Sequence, residues 1–138
     1  LSLIVSAPRG LRIIGIKTLI FTTLAWCLLP ALPGGIGWIV MDLGLGGGNA
    51  GDRAALQMLF YLMLLSPLVS GPFWIAIGIG TALFCRYGAY GSLTALVWGA
   101  IFGAGSVVST GVPELIVLGA ILATFHRFSL AVLRPEAF

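Results

Sequence analysis

The sequence predicts an all-α, polytopic membrane protein of four transmembrane helices, the second long and kinked near Pro67 and Pro72, on three observations. Of its 138 residues 59% are apolar and 8% charged, against roughly a quarter charged in a typical soluble domain. Apolar runs of spanning length repeat along the chain, separated by proline, glycine and charge. The basic residues, finally, divide unevenly between the connections. So few polar groups cannot cover a water-facing surface, which excludes a soluble enzyme of ordinary design and a disordered chain. With no clustered bases, nucleic acid is excluded as a partner as well. At about 20 residues per span, residues 1–138 form a single transmembrane helical domain with almost no mass outside the bilayer.

The first span is expected at about 13–32, broken only by Lys17 and closed by Pro33, Gly34 and Gly35, which continue a helix poorly. Arg9 and Arg12 ahead of it superficially suggest a signal peptide. The apolar run is too long for one and no small-x-small cleavage pattern follows, so a retained helix is expected. Residues 34–53 read as an outer loop, with Trp38 at the interface and the glycine run GLGGGNAG at 44–51. That run fails as a phosphate-binding fingerprint, because no strand precedes it and no Gly-Lys-Ser/Thr follows. The second span, 54–85, carries no internal charge and would measure about 48 Å as one helix. To fit the bilayer by tilt alone it would need about 50°, beyond the usual range, so a helix break is expected at Pro67, Gly71 and Pro72. The third and fourth spans are expected at about 87–108 and 113–129, parted by a turn at 109–113. Glu114 beside Pro113 suits the positive end of the fourth helix.

Charge chooses four spans over five. With a single crossing by 54–85, Arg9, Arg12, Lys17, Arg86, Arg127 and Arg134 share one side, and Arg53 alone takes the other. A second crossing there would leave three basic residues against four. The positive-inside rule favours the first arrangement. It places both termini on the cytoplasmic side of a bacterial inner membrane or organellar equivalent. Lys17, Arg86, Arg127 and Arg134 then read as anchors to anionic lipid.

Gly91, Ala95, Gly99 and Gly103 recur every four residues, so small side chains line one stripe of the third helix, and Gly119 with Ala123 offers a matching stripe on the fourth. In lipid such stripes let backbones approach and associate through van der Waals contact. They suit packing within the bundle or against other integral membrane subunits.

Chemistry-bearing residues are scarce. Cys27 and Cys85 read as small buried hydrophobes, and Gln57, Thr81 and Thr94 as ties between helices. The serines lack a nucleophile-elbow context, and no zinc-type ligand set exists. His126 is the lone histidine; a neutral imidazole inside a membrane can ligate a tetrapyrrole metal, although a second axial histidine is missing. These features favour a non-catalytic accessory or structural subunit of a respiratory, photosynthetic or transport complex. Two rivals are a homo-oligomeric transporter of small solutes or ions, using the broken helix near Pro67 and Pro72, and a pigment- or haem-binding subunit using His126. The bound groups compatible with the sequence are a tetrapyrrole or a lipid.

Overall fold

The computed structural model describes residues 6–7 and 9–138, the side chain of Ser109 excepted. The described residues build helices α1 (Gly10–Ile14), α2 (Ile16–Leu28), α3 (Ala31–Asp42), α4 (Ala50–Arg86), α5 (Ser92–Thr110) and α6 (Glu114–Leu133), then a 3-10 turn at Pro135–Ala137. Among the described residues, three segments are long and apolar enough to cross a membrane: Ile16–Asp42, Ala50–Arg86 and Glu114–Leu133. The apolar run of α5, Ser92–Val108, is shorter.

The expected outer loop at 34–53 is largely helical instead. Prolines 30 and 33 interrupt the chain only at the turn of Leu29 and Pro30, after which α3 begins. Pro33 falls in the first turn of that helix, where backbone N–H groups have no intrahelical acceptor, so its missing donor costs little. The glycines that suggested a terminator have a packing role. A Cβ on Gly34 would lie 2.8 Å from the Met63 backbone of α4, and one on Gly37 would run into the Phe60 ring. The true connection is residues 43–49. Its last residue, Asn49, caps α4 by accepting the Asp52 N–H at 2.9 Å, the role its short side-chain oxygen favours.

Helix α4 runs unbroken for 37 residues through Pro67 and Pro72, so the expected break does not unwind it. Each proline withholds one N–H from the carbonyl four residues earlier. The helix continues because the remaining hydrogen bonds on either side persist.

The chain divides into two compact units. One holds Leu24–Pro72, where α3 packs on α4 through Gly34 and Gly37. The other holds the described residues up to Thr23 together with Phe73–Phe138, and its central contact is α5 on α6. Gly91, which precedes α5 as its N-cap, and Ala95, Gly99 and Gly103 within it are all buried. A Cβ on Gly99 would come within 2.6 Å of the Ala123 Cβ, and one on Gly103 within 2.7 Å of the Ile116 Cα. The two backbones therefore touch where the small residues lie, as van der Waals association in lipid requires. Gly111 ends α5 in the left-handed region at φ 71° and donates its N–H to the Val107 carbonyl at 2.7 Å.

Candidate functional site

The buried polar groups of the second unit gather around α6. Gly119, Ala123, His126 and Leu130 are buried at helical spacing, and Arg127 beside them is also covered. His126 is 0% exposed, and its Nε2 lies 3.0 Å from Thr23 Oγ1 of α2. The Thr23 hydroxyl has one hydrogen and donates it to the Leu19 carbonyl at 2.8 Å. Nε2 must then carry the ring hydrogen and donate to Oγ1. Nδ1 is left as a bare acceptor, buried with no hydrogen-bond partner among the described residues. The Trp74 ring of α4 packs against the imidazole, with centroids 6.0 Å apart.

This arrangement encloses His126, the candidate tetrapyrrole ligand, within the helix packing. Nε2 is engaged and the ring is enclosed, while Nδ1 keeps a free lone pair. Arg127 departs from its expected role as a lipid anchor. It is 1% exposed, with its guanidinium 4.9 Å from the Phe138 ring centroid, a cation–π placement that replaces water around the charge. Helical phase explains the difference: Arg127 lies four residues after Ala123 and so points inward with it. The other anchors, Lys17, Arg86 and Arg134, stay exposed. Arg134 Nη1 lies 3.7 Å from Glu136 Oε1, with both side chains about half exposed.

A second polar pair sits beside the turn between α4 and α5. Thr81 Oγ1 donates to Tyr90 Oη at 2.9 Å, and Tyr90 accepts Phe84 and Phe138 as ring neighbours. Burial pushes the Tyr90 phenol above its usual pKa, only partly offset by the Thr81 hydrogen bond. The Tyr90 N–H reaches Ser6 Oγ at 3.4 Å. Main-chain bonds from Ser6 to the Gly88 carbonyl and from Ala7 to the Ala137 carbonyl, both 2.9 Å, tie the N-terminal segment to this turn and to the end of α6.

No family model, curated protein or solved structure matches the chain. The chemistry must therefore be read from the residues. Among the described residues, no three His, Cys, Asp or Glu side chains gather to hold a metal, and Cys27 and Cys85 are both free and buried. Among the described residues the hydrogen-bond partner of His126 is the Thr23 hydroxyl.

Of the residues singled out from sequence, the structure brings together Gly99, Gly103, Gly119 and Ala123. Thr81 gains a tie across the turn, whereas Gln57 is exposed. Sequence reasoning missed Thr23 as the partner of His126. The available signal was a hydroxyl in the middle of an apolar run, in a chain with a single intramembrane histidine.

Proposed function

We propose that the chain is a four-span, non-catalytic subunit of a larger membrane assembly. In this reading the joined α2 and α3 cross once and α4, α5 and α6 once each, with the Arg-rich end facing the cytoplasm. Orientation is supported by the hydrogen bonds that hold the N-terminal segment, the turn after α4 and the end of α6 at one end, together with the basic residues that cluster there.

One observation carries the assembly reading. Residues 50–59 of α4 are exposed on every side of the helix, and they include Gly51, Ala54 and Ala55 beside the charged pair Asp52 and Arg53. Small residues let another backbone approach closely, and lipid alone gives no use for that property. A partner helix would cover this segment. The rival transporter reading needs carbonyls exposed by a broken helix, whereas α4 stays helical through Pro67 and Pro72.

Crosslinking in native membranes followed by purification in mild detergent tests the proposal. The expected result is a defined partner joined through a crosslinkable residue placed between 50 and 59. A stable lone monomer with no co-purifying protein would overturn it.

A further inference from the structure

Arg9, Arg12 and Arg86 line one pocket of about 620 Å³ together with Leu11 and Ile16. Two of these arginines flank or belong to α1 and the third ends α4, so only the fold unites them. The uniting contacts are backbone ones. Ser6 bonds Gly88 two residues beyond Arg86, and Gly10 packs against the Cys85 and Ala137 carbonyls. Within α1's approach, Arg9 adopts a left-handed backbone at φ 67°, and its carbonyl accepts the Arg12 N–H at 2.8 Å. The segment carrying two guanidiniums is thus pinned against the helix end carrying the third.

None of the residues lining the pocket is acidic. Glu136 pairs with Arg134, and no ion pair joins Arg9, Arg12 or Arg86 to a carboxylate among the described residues. Three guanidiniums around one pocket repel one another, and a bound anion would offset that repulsion. Their planar forks match the oxygens of a phosphate, which they grip by paired hydrogen bonds. The apolar wall adds a second requirement. Ile16 is 64% exposed and leads onto exposed Ile20 and Phe21 of α2, a surface suited to an acyl chain rather than to water.

We infer that Arg9, Arg12 and Arg86 form a binding site for a phosphate group, borne by an anionic phospholipid or free in solution. The inference does not depend on the assembly reading above.

Calorimetric titration of the full chain in a neutral detergent provides the test, with short-chain phosphatidylglycerol, phosphatidylcholine of equal chain length and inorganic phosphate as probes. Phosphatidylglycerol should bind about tenfold more tightly than phosphatidylcholine, and Arg12→Gln with Arg86→Gln should remove about tenfold or more of its affinity. Arg53→Gln should leave binding unchanged. Competition by inorganic phosphate, sensitive to the same double variant, identifies a free-phosphate site; its failure to compete identifies the lipid headgroup. The lysine variants Arg12→Lys and Arg86→Lys keep the charge and should retain part of the affinity. Should the glutamine variant fail to fold, the wild-type preference for phosphatidylglycerol must still fall as salt rises. Equal binding of the two lipids, or a folded double variant that binds phosphatidylglycerol like the wild type, would overturn the site.

Discussion

Helices meet through glycine in both units, but against different surfaces. On α5 and α6, Gly99, Gly103 and Gly119 face one another's backbone: a Cβ on Gly119 would press on the Gly99 carbonyl and lie 3.2 Å from the Gly103 Cα. In the α3–α4 contact, Gly34 faces the Met63 and Leu64 backbone, whereas Gly37 meets the Phe60 ring first. Backbone cannot yield without parting the helices, while a ring can rotate. The same residue type therefore carries different weight, set by what lies opposite.

Substitutions should rank accordingly, as read by reversible unfolding in detergent. Gly119→Val should be the most damaging, at about 3 kcal/mol, since overpacking here has no side chain to displace. Gly105→Ala on α5 is its counterpart: open space surrounds that glycine, and the better helix former should be neutral or stabilising by up to about 1 kcal/mol. A comparable loss in both would break the comparison. Gly34→Ala should follow at about 2 kcal/mol and exceed Gly37→Ala. The reverse order would show that the Phe60 ring is held more firmly than the α4 backbone.

The polar pairs should give smaller effects. Thr23→Val removes the acceptor for His126 Nε2 and should cost about 1 kcal/mol, near the range for hydrogen bonds between membrane helices. A neutral result would mean that the imidazole finds another acceptor. Tyr90 sharpens the pH dependence. Because burial raises its folded pKa, the stability it contributes is complete below the unfolded phenol value, about 10, and is lost as pH rises beyond it. The thermal midpoint of the wild type should fall more steeply above about pH 10 than that of Tyr90→Phe. Parallel curves would show that the phenol is not desolvated.

Local chemistry was legible wherever one residue's environment followed from its neighbours in sequence. The stripe of Gly91, Ala95, Gly99 and Gly103 came from helical period alone, and its burial follows from the same period. Reading Gly34 and Gly35 as a terminator failed for a definite reason. Glycine marks both flexible backbone and close approach, and only the opposite helix shows which applies. Arg127 was misplaced because charge suggests the surface, while its phase with Ala123 turns it inward onto Phe138.

By itself the sequence determined the solvent and the helical class: an apolar fraction of 59% with 8% charge demands a bilayer, and a bilayer leaves helices as the way for such segments to satisfy their backbone. The tertiary structure alone decided which groups meet. Thr23 joins His126, Ser6 joins Gly88, and three arginines share one pocket, because contacts between residues far apart in the chain depend on helix phase and packing rather than on local period.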